Sequence, residues 1–277
     1  MRFAACNEMF RNWPLDRACA ACAAAGCTGI ELAPFTLAPE GVDHLDAQAR
    51  GRIRQTAAAA GLTVVGLHWL LVGPVGLGLT VEDAAVRART AAYLCDLVDC
   101  CADLGGGVLV LGSPHQRNLP PGIGEAEGMR RAAATLAPAV FRAQSSGVRW
   151  CLEPLPAPET NFLHTLDACL ALADLLGGGP SVGVQLDVKS LCAEAGDPAA
   201  AIRGHAAAAA RFGHLHLQGR AGGPPDDAVA WGDLWAALGE VGYDGWGSLE
   251  VFTPAQDPAA MVQAAVARLT AAGAPRS

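Results

Sequence analysis

Eight times along this 277-residue chain, a short apolar run of strand character gives way to a segment of helical character. The expected strands are Arg2–Cys6, Gly29–Leu32, Thr63–Leu71, Gly107–Leu111, Val148–Glu153, Val182–Asp187, His214–Leu217 and Trp246–Val251. The expected helices are Leu15–Ala25, Leu45–Ala60, a long one from Thr80 through Leu104, Glu125–Ser145, Thr165–Leu176, Pro198–Ala210, Trp231–Val241 and Pro258–Ala271. Gly61 and Gly147 stop two of them, and Thr80 with Asp83 three residues on reads as the cap of the long one. Strands alternating with helices imply βαβ units and a parallel sheet. Eight such units fit a closed (β/α)8 barrel, for which about 250 residues is typical. An open doubly wound sheet would carry a Gly-rich phosphate turn after its first strand, and Cys6-Asn-Glu-Met-Phe is not one. No linker or low-complexity stretch divides the chain, so residues 1–277 read as a single barrel domain.

Several strand ends carry chemistry. Val148-Arg-Trp-Cys-Leu-Glu153 ends in a carboxylate and is followed at once by Pro154, which cannot continue a ladder and holds the preceding residue extended. Val182-Gly-Val-Gln-Leu-Asp187 ends the same way, and Glu250 closes Trp-Gly-Ser-Leu. His214 and His216 alternate on a further strand, so they face one side at different heights, and only His216 is near enough to the end to share a site. In a barrel all C-terminal strand ends open on one face. Glu153, Asp187, His216 and Glu250 are therefore expected to converge. Three carboxylates and an imidazole without a thiolate suit one hard or borderline divalent ion, Mn2+ before Mg2+ or Co2+. Asp187 alone would equally suit an N-cap of the next helix, whereas glutamate is a poorer cap.

Other residues point to substrate. Lys189 is the only lysine, two positions past Asp187, in a chain that otherwise uses arginine. His115 and Arg117 sit in the loop after the fourth strand, where they would meet a phosphate or a sugar hydroxyl. His68 and Trp69 follow the third strand, one facing the pocket and one the helix layer. A net charge of −8 argues against a nucleic-acid partner. The opening residues Met-Arg-Phe-Ala-Ala-Cys-Asn-Glu do not form a signal peptide, and Leu62–Val81, the longest uncharged run, is broken by glycine and proline, so no membrane span is expected. Ten cysteines, several in alanine-rich helical patterns, read as buried thiols of a cytoplasmic protein; Cys19-Ala-Ala-Cys22 has redox spacing but a packing context.

These segments carry a resemblance. Cys6-Asn-Glu-Met-Phe, Gly29-Ile-Glu-Leu-Ala-Pro, Gly66-Leu-His-Trp, Gly112-Ser-Pro-His-Gln-Arg, Leu152-Glu-Pro-Leu, Glu159-Thr-Asn-Phe, His214-Leu-His and Ser248-Leu-Glu-Val-Phe run through almost the whole chain. Together they resemble the sugar phosphate isomerase/epimerase group of the xylose-isomerase-like barrels, with its ketose 3-epimerases, hydroxypyruvate isomerases and inosose dehydratases. The resemblance implies Glu153, Asp187, His216 and Glu250 as metal ligands, with His214 outside the coordination sphere, and Glu159 as a substrate contact. It also implies a small sugar-like substrate and a homodimer. The chain departs from the ketose 3-epimerases at Ser190, where they carry a substrate-binding histidine, and in the loop Gln218–Trp231. The expected function is a divalent-metal-dependent isomerase or epimerase of a sugar, sugar phosphate or cyclitol, working through an enediolate by proton transfer, with Glu153 and Glu250 as the bases. A dehydratase on a related polyol ketone and an endonuclease IV-like phosphodiesterase are the alternatives; the second would need a His-richer site and a basic surface.

Overall fold

The strands β1 (Arg2–Cys6), β2 (Gly29–Leu32), β3 (Thr63–Leu67), β4 (Val108–Leu111), β5 (Arg149–Leu152), β6 (Val182–Asp187), β7 (Phe212–Leu217) and β8 (Trp246–Leu249) form a closed barrel in chain order in the computed structural model, which describes residues 1–275. Each pair with a defined register is parallel, as the βαβ alternation requires. Near-continuous apolar runs suit strands covered on both sides, and all six residues of β6 are buried. The helices are α1 (Leu15–Ala24), α2 (Pro34–Leu37), α3 (Ala47–Ala59), α4 (Ala84–Leu104), α5 (Pro114–Arg117), α6 (Glu125–Ser146), α7 (Leu166–Leu175), α8 (Val188–Ala195), α9 (Pro198–Gly204), α10 (Trp231–Glu240) and α11 (Pro258–Ala271).

Contacts group the chain into two portions. In the one made of Met1–Leu32, Arg52–Val65 and the chain from Leu186, β1 pairs with β2 and β8, β7 pairs with β8, and α1 packs on α11 and α9 on α10. In the one made of Ala33–Gly51 and Gly66–Gln185, β4 pairs with β3 and β5, β5 pairs with β6, and α4 packs along α6. The buried stripe Leu94, Leu97, Val98, Cys101 and Leu104 of α4 repeats at helical spacing. Burying each leucine of that stripe contributes roughly 1.5–3 kcal/mol. Gly66 on β3 is required by close approach, since a β-carbon there would lie 2.1 Å from the Val108 carbonyl oxygen.

Boundaries differ from expectation for local reasons. The cap of α4 is Asp83, whose Oδ1 accepts from Ala85 N at 2.8 Å, not Thr80. Thr80 is buried and its hydroxyl donates to Asn118 O at 2.6 Å. The third strand stops at Leu67 because Trp69 turns to φ 52°. The alanine run 206–210 is 3-10 rather than α-helix, beginning beyond the end of α9 at Gly204. The short helices α2 and α5, not expected from the sequence, begin at Pro34 and Pro114; α8 starts from the Asp187 cap, and α9 starts at the expected Pro198 but ends at Gly204.

Candidate active site

The end of β6 sets one wall. Asp187 is both strand end and helix cap: its Oδ1 accepts from Ser190 N at 2.7 Å, and Gln218 donates from Nε2 to its Oδ2 at 2.6 Å. Each oxygen keeps a second lone pair, so capping and metal ligation are compatible. Asp187 and Gln218 are fully buried. Burial pushes the Asp187 carboxyl above its ordinary range, with Lys189 opposing and Glu250 adding to the rise.

His216, on β7, lies between two carboxylates. Its Nδ1 is 3.0 Å from Oε2 of Glu250, the residue just past β8, and its Nε2 is 3.2 Å from Oε1 of Glu31 on β2. Burial pushes this imidazole down, but Glu250 and Glu31 outweigh it and hold it well above the usual histidine range. His214, one strand repeat below, is 2.7 Å from Glu31 Oε2 and 3.0 Å from Ser248 Oγ through Nε2. Glu8, in the 3-10 turn after β1, is raised by burial and by Glu250. The carboxyls of Glu31, Asp187 and Glu250 are buried and that of Glu8 is half-buried, an arrangement that a divalent ion would relieve.

Glu153 stands one residue past β5, with its N donating to Leu111 O at 3.3 Å. Its carboxylate lies over Gly112, where a β-carbon would come within 1.9 Å of Oε2. Arg117 lies underneath. It is fully buried and donates from Nη1 to Glu153 O at 2.7 Å and from Nη2 to Gly112 O at 2.8 Å. Burial draws its pKa down. The expectation that Arg117 contacts substrate does not match this placement, because its guanidinium braces the ends of β4 and β5 through backbone carbonyls. A buried arginine so used is spent on structure.

Single ligand atoms of Glu153, Asp187, His216 and Glu250 all lie within 4.8 Å of one another, and all four residues are buried. His214 is in no such group among the described residues, whereas His68 joins Cys6, Glu31 and His216 in a second group and Glu8 and Glu250 in a third. His68 follows β3 and is 1% exposed. Lys189 is buried with Nζ 4.5 Å from the centroid of the Phe252 ring, next to Gly222 of the loop after β7. Glu159 is half-buried in the turn 156–160, and His115 is exposed on α5. Trp13 lies under the Arg17 guanidinium, 3.5 Å from its ring centroid.

A family model, the xylose isomerase-like TIM barrel, matches residues 19–272. The chain belongs to this family. Within it, the chain is similar to a Synechocystis protein named probable ketose 3-epimerase, 26% identical over 185 residues, which are 65% of this chain and 62% of that one. The chain thus spans less than two thirds of that relative. It is also 29% identical over 270 residues, 91% of this chain and 90% of the other, to a Streptomyces coelicolor protein provisionally named hydroxypyruvate isomerase. The D-psicose 3-epimerase of Clostridium cellulolyticum H10 has the same fold, with a TM-score of 0.83 at 18% identity over 98% of this chain and 99% of the other. So does an Escherichia coli 3-keto-D-glucoside 4-epimerase, with a TM-score of 0.82 at 18% identity and coverage of 98% and 99%.

Glu31, Gln218 and Ser248 escaped the sequence reading. Glu31 had a signal, since it is a charged residue inside an apolar strand of this xylose-isomerase-like barrel and stands three residues before Pro34. Gln218 and Ser248 had none, because polar residues at strand ends are common.

Proposed function

We propose that this chain is a divalent-metal-dependent isomerase or epimerase of a sugar, sugar phosphate or cyclitol, working by proton transfer at a carbon beside a carbonyl. The observation that carries the reading is the buried set Glu153, Asp187, His216 and Glu250, whose ligand atoms gather within 4.8 Å. The donors fit the group: three carboxylates and one imidazole suit Mn2+ first, with Mg2+ or Co2+ as alternatives. Bound there, the ion would polarise adjacent oxygens of a hydroxy-ketone and acidify the C–H between them.

The remaining work belongs to side chains. Glu153 and Glu250 remove and return the proton, each using an oxygen not engaged in ligation. Asp187, fixed by Ser190 N and Gln218, holds its carboxylate in place. Lys189, with its head on the Phe252 ring, is the compact positive charge that meets the substrate. Glu159, His68 and the exposed His115 are the further substrate contacts, and Arg117 serves as a brace instead. The names of the relatives, a ketose 3-epimerase and a hydroxypyruvate isomerase, support epimerisation or isomerisation of a small carbonyl compound. Loss of a β-hydroxyl from the same enediolate would make the chain a dehydratase. The phosphodiesterase alternative is disfavoured by the net charge of −8. Cytoplasmic location and a homodimer complete the reading; no helix among the described residues is long and apolar enough to cross a membrane.

Metal analysis tests it. The protein should take up one equivalent of Mn2+, and Asp187→Asn with Glu250→Gln should abolish uptake. A protein with no affinity for Mn2+, Mg2+ or Co2+ would refute the reading.

A further inference from the structure

We infer that Glu31 is a positioning residue for the metal centre: its carboxylate holds His216 in the tautomer and ring orientation that leave Nδ1 for the ion. The inference rests on the metal-dependent reading above and extends it to a residue outside the ligand set.

The two nitrogens of His216 face different partners. Nδ1 is 3.0 Å from Oε2 of Glu250, a proposed ligand. Nε2 is 3.2 Å and 3.3 Å from the two oxygens of Glu31. An imidazole that ligates must present one bare nitrogen, so its proton sits on the other and is fixed there by an acceptor. An ionised carboxylate is acceptor-only, which forces the proton onto Nε2. A second imidazole locks Glu31 itself. His214 Nε2 is 2.7 Å from Glu31 Oε2, and its ring stands edge-on to His216 at 84°, with centroids 5.3 Å apart. Glu31, His214, His216 and Ser248 are all fully buried, so no water competes for these bonds.

The barrel supplies the room. Ala4 of β1 pairs in register with Gly29 of β2 and with Ser248 of β8, and Ser248 pairs with His216 of β7. Parallel partners in register point to the same side. Glu31 itself pairs with Cys6 of β1, two residues on from Ala4, and Cys6 Sγ is 3.8 Å from Glu31 Oε2, so the small residues Ala4 and Cys6 line the side of the sheet on which Glu31 and His216 meet.

Glu31→Gln is the test, because it keeps volume and one carbonyl oxygen but turns an amide NH2 toward an imidazole N–H. The wild-type apo protein is titrated with Mn2+ by calorimetry alongside the variant, thermal unfolding of both apo proteins is recorded, and the wild type is loaded with diamagnetic Zn2+ for 15N-histidine NMR. The expected result is one equivalent bound by the wild type, an affinity about 10- to 100-fold weaker in the variant, comparable apo melting, and NMR showing His216 coordinated through Nδ1 with Nε2 protonated. Failure of the wild type to bind any ion would overturn the metal reading itself. Equal affinity in wild type and variant would overturn only the role of Glu31. Two equivalents in the wild type and one in the variant would make Glu31 a ligand and also overturn it. If the variant does not fold, the wild-type spectrum decides, and coordination of His216 through Nε2 would contradict the proposal.

Discussion

Gly112 leaves the space that the Glu153 carboxylate occupies: a β-carbon at position 112 would lie 1.9 Å from Glu153 Oε2 and 3.1 Å from its carboxyl carbon. The residue just past β4 thus leaves room for the side chain just past β5. Alanine at 112 must drive the carboxylate away. Gly112→Ala is expected to fold normally yet lower Mn2+ affinity by about tenfold or more, the range for residues that orient a ligand without touching the ion. Calorimetric titration checks it, and unchanged affinity would mean that Glu153 is not a ligand.

Arg117 donates to the carbonyls of Leu111, Gly112 and Glu153 from a fully buried position. Arg117→Met removes the guanidinium donors to Gly112 O and Glu153 O while Leu111 O keeps Glu153 N, and should destabilise the protein by about 3 kcal/mol, read as a lower denaturant midpoint. If Arg117 bound substrate instead, the variant would keep its stability and show only a raised KM.

Lys189 is a buried cation that opposes the rise of the Asp187 pKa, and its ammonium rests on Phe252. Lys189→Ala should retain a full equivalent of metal while KM rises or turnover falls. Loss of the ion in this variant would assign Lys189 to the metal site rather than to substrate.

All ten cysteines are free thiols, and only Cys95 is not buried. Burial pushes Cys19 and Cys100 up to about 11 and Cys27 up to about 12, and it does the same to the Tyr93 phenol, to about 12. In the unfolded chain the thiols ionise near 8.5 and tyrosine near 10. The folded state therefore holds these protons to higher pH than the unfolded state, and its stability declines as pH rises from about 8.5 toward 12. Melting temperature should fall steadily through the alkaline range. Ellman's reagent should label Cys95 ahead of the others in the native protein.

The barrel was legible in the sequence because strand and helix periods alternate eight times, and a parallel sheet leaves few topologies for that pattern. The strand-end carboxylates were legible for a similar reason, since charge at the end of an apolar run is costly unless it serves a purpose. What stayed hidden depends on distances between remote segments. Glu31 meets His214 across 183 positions, and nothing local at Gly29–Leu32 announces that partner. Arg117 misled because an arginine in a Gly-Ser-Pro-His-Gln-Arg loop reads as a donor offered to solvent, whereas here the loop folds into α5 and turns its guanidinium toward backbone carbonyls. Thr80 misled because a threonine three residues before an aspartate satisfies a cap pattern that Asp83 fills by itself.

The central claim is proton transfer by Glu153 and Glu250 beside a carbonyl. It is tested by incubating the Mn2+-loaded protein in D2O with D-fructose, D-psicose and D-tagatose, together with phosphorylated ketoses and a keto-inositol, and reading deuterium by NMR and mass spectrometry. The account predicts deuterium at a carbon adjacent to the carbonyl in at least one of these compounds, and loss of net turnover in both Glu153→Gln and Glu250→Gln. Product formed without deuterium would indicate hydride transfer and contradict the two-carboxylate account, as would the absence of exchange in every compound of the set.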